Sequence, residues 1–213
     1  MTPPRVHHLN DSRSQKTVWL LEELGCPFEV VPHLRDPATL KGPPALKAAH
    51  PIGKAPVLEA EGRSIVESGA IADYLLACYD DGTLVPDRDA SAFLRFLEWM
   101  HFAVSIGSTP VMFLAWGRAF ALDESTFMRA AVAEMDHVLR YLEDGLKPGP
   151  YLMGEHFTAA DIQVSFVAEL GREFHSLDAY PRINAWLGLL YERPAYQRAI
   201  ADPVPYRFGG ARG

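Results

Sequence analysis

Two adjacent residues, Glu67 and Ser68, have the side chains best suited to bind a small charged molecule. They precede Ile71, Tyr74 and Leu75, whose spacing predicts a helix. The N-terminus of a helix offers N–H donors and the positive end of the helix dipole to an anionic group. The Ser68 hydroxyl adds a donor, and the Glu67 carboxylate accepts an ammonium. The pair therefore predicts a site for a ligand with both a carboxylate and an ammonium, such as an α-amino acid head group.

The hydroxyl of Ser12 is a second candidate, because it lies between the first predicted strand and the first predicted helix. A hydroxyl at a helix N-terminus donates a hydrogen bond to a bound thiol sulfur and so favours the thiolate. The same serine also suits a simple cap of that helix. Asn10 and Ser14 are alternatives for the sulfur contact, since the spacing leaves the register open by a residue or two. No cysteine precedes Cys26, which disfavours thiol–disulfide exchange through a protein cysteine.

The elements that must position these residues form a small α/β domain. Strand-like residues 5–9, a helical pattern over 13–24 and strand-like residues 28–31 make a βαβ unit, whose two strands should be parallel. Residues 57–60 and 63–66 are strand-like and separated by a Glu-Gly turn, which predicts an antiparallel hairpin. With the helix after Ser68, the order βαβ then ββα is the thioredoxin-like arrangement.

A proline stands at the start of the predicted hairpin. Pro56 begins its strand without an N–H of its own, and a cis bond between Ala55 and Pro56 turns the backbone sharply at that point. We therefore expect a cis peptide there.

The second part of the chain is predicted to be an all-α helical bundle. Residues 81–89 are polar and rich in turn residues, which predicts a linker between a domain at 1–80 and a helical domain at 90–213. Asp123 or Ser125 is expected to cap a helix that runs to about residue 142. Thr158-x-x-Asp161 has the pattern of a capping box, and we interpret it as structural.

Composition excludes several function classes. The 213 residues have a formal charge of −7, which argues against nucleic acid or an anionic membrane as the main partner. No apolar run approaches membrane-spanning length, and the first residues lack the core of a signal peptide. Two cysteines make no disulfide framework, so we expect a cytoplasmic protein. The eight histidines lack H-x-x-x-H spacing and no C-x-x-C occurs, so no metal site is predicted.

The order strand, G-K-A-P, strand, hairpin and E-S-G-A-I on a helix resembles the glutathione-binding domain of cytosolic, serine-type glutathione transferases. The resemblance extends over most of the chain. It implies glutathione as co-substrate and a catalytic hydroxyl at Ser12. The glutathione-binding residues that it implies are Lys54, Ala55, Pro56, Val57, Glu67 and Ser68. Lys54 contacts the glycine carboxylate in this interpretation, and the backbone of Val57 pairs with the peptide as an added strand does.

The resemblance also implies a partner substrate and an assembly. The first long helix of the helical domain lines the pocket for an apolar electrophile in this family, and the matching residues are Phe102, Ser105, Thr109, Met112 and Trp116. The expected activity is conjugation of glutathione to that electrophile, a detoxification reaction, in a homodimer. Two alternatives are a glutathione-dependent isomerase or dehalogenase and a non-catalytic binding or assembly module.

Overall fold

A computed structural model describes residues 2–88, 90–122, 125–201 and 204–210 of the chain. These residues form two compact units. The first unit comprises Met1–Asp81 together with Tyr191–Gly213, and the second comprises Gly82–Leu190. The sequence predicted one helical domain over residues 90–213, whereas in the structure residues 191–213 belong to the first unit.

The first unit is built on a four-stranded mixed sheet in the order β2-β1-β3-β4. Strand β1 is parallel to β2, and β3 is antiparallel to both β1 and β4. The predicted βαβ-ββα arrangement is therefore confirmed. The elements of this unit are β1 (Arg5–Leu9), α1 (Ser14–Leu24), β2 (Glu29–His33), α2 (Pro44–Ala49), β3 (Val57–Ala60), β4 (Arg63–Val66), α3 (Ser68–Tyr79) and a C-terminal helix, α9 (Pro194–Ile200).

Helix α1 ends where the sequence predicts a stop. Gly25 has a left-handed backbone (φ 62°), and its N–H donates to the carbonyl of Glu22. A glycine adopts this conformation without the steric cost that a Cβ brings. The chain is thereby turned back into β2, parallel to β1.

The second unit is helical, as predicted. It contains α4 (Ala90–Phe102), α5 (Ser108–Ala119), α6 (Thr126–Gly145), α7 (Ala159–Gly171) and α8 (Pro181–Tyr191), whose last residue groups with the first unit. The predicted break near Gly107 separates α4 from α5. A Cβ at Gly107 would lie 2.9 Å from a ring carbon of Phe102 and 3.0 Å from its carbonyl oxygen, so a larger residue would force this close turn to shift.

The predicted helix caps of this unit are present. The Ser125 hydroxyl accepts a hydrogen bond from the N–H of Met128 (3.1 Å) at the start of α6. Asp123, the other predicted cap, lies outside the described residues. Thr158 and Asp161 form the predicted capping box of α7. In the parts of the chain that the structure describes, no helix has the length and apolarity needed to cross a membrane.

Candidate functional site

Three predicted segments meet at one edge of the sheet. Strand β3 runs antiparallel to β1 with Val57 opposite His7, so the loop before Val57 lies beside the end of β1 and the turn at Ser12. Val57 also pairs with Val66, and Glu67 follows directly. The strand register thus brings the Ser12 turn, the loop at residues 54–56 and the start of α3 to the same edge.

The start of α3 has two unusual features. Glu67 has φ 71° and ψ 116°, a backbone region that residues with a side chain rarely occupy. Ser68 is 4% exposed, and its hydroxyl has no hydrogen-bond partner among the described residues. The first hydrogen bond of the helix runs from the N–H of Ile71 to the carbonyl of Glu67 (2.9 Å), so the preceding amides belong to the open first turn. A buried, unpaired hydroxyl at such an end fits a ligand that supplies an anionic acceptor.

The loop before β3 has the predicted geometry. The Ala55–Pro56 bond is cis, which confirms the expectation from the sequence. Pro56 and Val57 are buried, whereas Lys54 is exposed. Among the described residues, the Lys54 ammonium has no ion-pair partner, and it remains available to an anionic ligand.

The three candidates for the sulfur contact differ in accessibility. The Ser12 hydroxyl lies 2.8 Å from the carbonyl of Leu9 and 2.7 Å from the Ser14 hydroxyl, and it is 6% exposed. Ser14 is fully buried, and its hydroxyl accepts from the N–H of Leu9 (3.0 Å) and lies 2.7 Å from Nδ1 of His8. The side-chain carbonyl of Asn10 accepts from the N–H of Arg35 (2.7 Å). Each candidate thus makes an internal hydrogen bond, and Ser12 is nearer to the surface than Ser14.

Sequence reasoning missed a buried lysine next to this turn. Lys16 lies on the first turn of α1, is 2% exposed, and has its pKa lowered to about 7 by burial and, secondarily, by the charge of Arg13. The signal for it was weak, because a single lysine in an amphipathic helix usually faces solvent. Arg35 and Arg207 also contact the turn, and no pattern in the sequence indicated this.

The predicted substrate-pocket residues lie in the second unit. Thr109, Met112 and Trp116 share one face of α5 because they are three and four residues apart, and Trp116 is 56% exposed. The Thr109 hydroxyl donates to the carbonyl of Ser105 (2.9 Å), and the Ser105 hydroxyl donates to the carbonyl of His101 (2.7 Å). Both hydroxyls therefore already donate hydrogen bonds to backbone carbonyls.

Phe102 does not join this face. It is buried at the end of α4, where its ring contacts Trp99 and Tyr141, each at 5.3 Å between centroids. A cavity of about 320 Å³ in the same unit has a different lining, formed by Leu114, Arg118, Met128, Arg129, Val132 and Phe174. Thr109, Met112 and Trp116 therefore share one face of α5, whereas Phe102 lies at the end of α4.

No metal centre is apparent in the described part of the chain. No group of three or more His, Cys, Asp or Glu side chains there is arranged to hold an ion. His7 and His33 point their ring nitrogens at each other, with Nδ1 of His7 2.9 Å from Nε2 of His33.

Comparisons with known proteins agree with this architecture. Residues 6–83 match a family model described as glutathione S-transferase, N-terminal domain, and residues 119–188 match one described as glutathione S-transferase, C-terminal domain. Glutathione S-transferase 3 of Schizosaccharomyces pombe is 30% identical over 93% of this chain and 87% of that protein. Elongation factor 1-gamma of Prunus avium is 26% identical over 88% of this chain and 45% of its own length. A glutathione S-transferase structure from Actinobacillus pleuropneumoniae superposes with a TM-score of 0.85 at 30% identity, covering 93% of this chain and 91% of that one.

Proposed function

This chain belongs to the glutathione S-transferase family, and on that premise we propose that it binds glutathione, stabilises the thiolate and adds it to an apolar electrophile. The observation that carries the proposal is the buried, unpaired Ser68 hydroxyl beside Glu67 at the start of α3. The γ-glutamyl group of glutathione has the carboxylate and ammonium that this pair is suited to bind.

Each binding residue has a distinct role in the proposal. The hydroxyl of Ser68 and the first amides of α3 donate to the γ-glutamyl carboxylate, and Glu67 accepts from its ammonium. The backbone of Val57 pairs with the cysteinyl unit in the manner of an added strand. Lys54 is exposed on the loop before β3, and its charge attracts the glycine carboxylate.

The chemical step needs only a modest lowering of the thiol pKa. A free thiol has a pKa of about 8.5, so lowering it by about two units requires about 2.7 kcal/mol of preferential stabilisation of the thiolate. A hydrogen bond to an anion contributes roughly 1.5–3 kcal/mol, and a helix N-terminus up to about 1 kcal/mol. Ser12 supplies the hydrogen bond, and α1 supplies the helix N-terminus. The thiol proton leaves to solvent, and the sulfur lone pair forms the new bond to carbon as a bond of the electrophile breaks. The electron pair of that bond leaves with halide, or stays on oxygen or nitrogen and takes a proton from solvent.

The binding half of the proposal is tested by calorimetry with glutathione and S-methylglutathione. Glu67→Gln and Ser68→Ala should each weaken both ligands by about 10- to 150-fold, because each loses a hydrogen bond to a charged group worth roughly 1.5–3 kcal/mol. Ser64→Ala, at an exposed serine on β4, is the matched control and should bind like the wild type. Unchanged affinity in folded Glu67→Gln and Ser68→Ala proteins contradicts the proposed site.

The catalytic half is tested by ultraviolet titration of the bound thiolate. Ser12→Ala should keep the affinity for S-methylglutathione and raise the pKa of bound glutathione by about one to two units, since it removes the hydroxyl donor. The pH profile of turnover should move toward alkaline values with it. If Asn10→Ala or Ser14→Ala moves the midpoint and Ser12→Ala does not, the catalytic residue is one of these neighbours.

A non-catalytic module is the second candidate, and the similarity to elongation factor 1-gamma over 88% of this chain is the observation in its favour. A panel of electrophiles separates the two functions: aryl halides, epoxides, isothiocyanates and haloalkanes. Glutathione binding without turnover of any member favours the module. Conjugation of an aryl halide or haloalkane also releases halide, so halide release that leaves no glutathione conjugate favours a dehalogenase on the same fold. Isomerisation without conjugation favours an isomerase.

The electrophile pocket, the assembly and the location are further parts of the proposal. We assign the pocket to the α5 face of Thr109, Met112 and Trp116, and Trp116→Ala should raise the KM for the electrophile without changing that for glutathione.

We also propose that the protein is a homodimer, and sedimentation velocity tests this by measuring the mass of the particle in solution. Cys26 and Cys78 are free thiols, and Cys78 is exposed, which suits a reducing cytoplasm.

A further inference from the structure

The turn that carries Ser12 is bound by a segment from the far end of the chain. The N–H of Asp11 donates to the carbonyl of Pro205 (3.4 Å), and the N–H of Arg207 donates to Oδ1 of Asp11 (2.9 Å). Nε of Arg207 lies 3.3 Å from Oδ2 of the same carboxylate. We call residues 204–208 the C-terminal latch. It contacts the turn through both the backbone and the side chain of Asp11.

The other side of the turn is held by Arg35, which follows β2. Its guanidinium donates to the carbonyls of Asn10 (3.0 Å), Asp11 (3.2 Å) and Leu40 (2.9 Å). Its own N–H donates to the side chain of Asn10 (2.7 Å). Arg35 thereby ties the turn to the end of β2, whereas the latch ties it to residues almost 200 positions away.

The backbone of the turn needs such anchors. Asp11 has φ 50°, a left-handed conformation that costs free energy for a residue with a side chain. Its carboxylate is only 13% exposed, so the contact with Arg207 is partly shielded from solvent although the arginine itself is 71% exposed. Ser12 comes directly after Asp11, and the direction of its hydroxyl therefore follows from the conformation that the anchors impose.

We propose that the C-terminal latch positions the sulfur-binding hydroxyl of Ser12, and that Asp11 and Arg207 are positioning residues for the transferase reaction. This proposal rests on the proposed function. The Ser12 hydroxyl now points to the carbonyl of Leu9 and to Ser14, so it must turn toward the thiol from a backbone that is itself held in place. A displacement of about 1 Å of a catalytic group costs up to about 100-fold in rate.

The experiment compares three variants at the latch contact. Arg207→Ala removes the side-chain contact, and Arg207→Lys restores a charge without the planar fork of arginine. Asp11→Asn removes the charge while keeping a residue that tolerates a left-handed backbone. The control is Arg198→Ala, which breaks another arginine–carboxylate ion pair of the first unit, between α9 and Glu22 of α1 (Nε to Oε2 2.5 Å).

Four readouts distinguish positioning from general stability. In Arg207→Ala and Asp11→Asn, the pKa of the bound glutathione thiol should rise by about one unit, and kcat at about pH 7 should fall about threefold because a smaller fraction of the thiol is ionised. The affinity for S-methylglutathione should stay within about twofold of the wild type. Amide hydrogen exchange of residues 9–15 should become faster in the free variants. Arg207→Lys should recover part of each loss, and Arg198→Ala should change none of them.

Each contrary outcome is decisive. If the wild type binds glutathione and the thiol pKa is unchanged in both Arg207→Ala and Asp11→Asn, the latch proposal is wrong and the proposed function stands. Equal changes in Arg198→Ala also overturn it, because they indicate a loss of overall stability. If the wild type itself does not bind glutathione, the proposed function fails first, and the catalytic role of the latch falls with it.

Discussion

At the scale of single residues, the first turn of α1 concentrates buried polar groups beside the proposed sulfur site. Ser14 and Lys16 are almost completely inaccessible, and the Lys16 pKa is lowered from 10.5 to about 7, first by burial and then by Arg13. Between these two values the unfolded chain binds a proton at this lysine that the folded chain does not. The free energy of unfolding therefore rises with pH across this window, because the cost of burying this lysine is largest near pH 7 and disappears as the pH approaches 10.5.

Lys16→Met should remove this pH dependence. One unit of pKa corresponds to about 1.4 kcal/mol. Between pH 7 and 10, the free energy of unfolding of the wild type should therefore increase by up to about 1.4 kcal/mol per pH unit because of Lys16. The methionine variant should be the more stable protein at pH 7, by an amount that shrinks toward pH 10. Urea unfolding at pH 7, 8 and 9 measures the difference. Lys41→Met, at an exposed lysine, is the control, and equal slopes in Lys16→Met and the wild type would refute the prediction.

At the scale of elements, helices α6 and α7 differ in how many hydrogen bonds one side chain makes at the start of the helix. Helix α6 begins with one cap, in which Ser125 accepts from Met128. Helix α7 has Asp161 in its first turn, where the carboxylate is fully buried and accepts four hydrogen bonds. They come from the N–H of Thr158 (2.9 Å), the hydroxyl of Thr158 (3.3 Å), the N–H of Leu152 (3.0 Å) and Nε1 of Trp186 (2.9 Å). One carboxylate thus joins α7 to the preceding loop and to α8.

Asp161→Ala should destabilise the protein far more than Ser125→Ala. The loss of an N-cap costs about 0.5–2 kcal/mol, which is the expectation for Ser125→Ala. Asp161→Ala leaves several buried donors without an acceptor, at roughly 1–3 kcal/mol each, so we expect at least about 3 kcal/mol. Asp161→Asn retains one carbonyl oxygen and should lie between the two. Denaturant unfolding of the three variants gives the order, and a smaller effect at Asp161 than at Ser125 would contradict it.

At the scale of the whole molecule, the two ends of the chain form one unit. Helix α9 packs against α1, where the rings of Trp19 and Tyr196 meet edge to face at 4.9 Å. Arg193 binds both carboxylate oxygens of Glu23 at 2.6 and 2.8 Å. Trp19 and Tyr196 are each 1% exposed. The core of the first unit therefore includes side chains from α9, which is far from α1 in sequence.

Tyr196→Ala should lower the free energy of unfolding by about 3–5 kcal/mol, the range for large aromatic side chains cut back to alanine in a core. A chain that stops at residue 190 should lose the folded first unit, since it exposes the α9-facing side of α1. Near-ultraviolet circular dichroism and denaturant unfolding report both effects. Phe120→Ala, at a residue that is 74% exposed, is the control and should unfold like the wild type. A stable first unit in the shortened chain would show that α9 is dispensable.

The features that the sequence by itself determined are local in the chain. The strand and helix types follow from apolar periodicity, and the capping box at Thr158 follows from a pattern four residues long. Glu67 and Ser68 were recognisable because both are adjacent and stand directly before a helical pattern. The cis bond at Pro56 and the parallel β1–β2 pair followed in the same way, from a proline at a strand start and from the length of a crossover.

Only the tertiary structure decided which distant residues support the site. Arg207 contacts Asp11 from 196 positions away, and Arg193 contacts Glu23 from 170 positions away. It also decided that Lys16 is buried, and that the ring of Phe102 packs against Trp99. The physical reason is that caps and turns use neighbours that the chain itself brings together. Partners such as Arg207 are selected only when the sheet and α9 pack, and nothing in the spacing of one sequence encodes that choice.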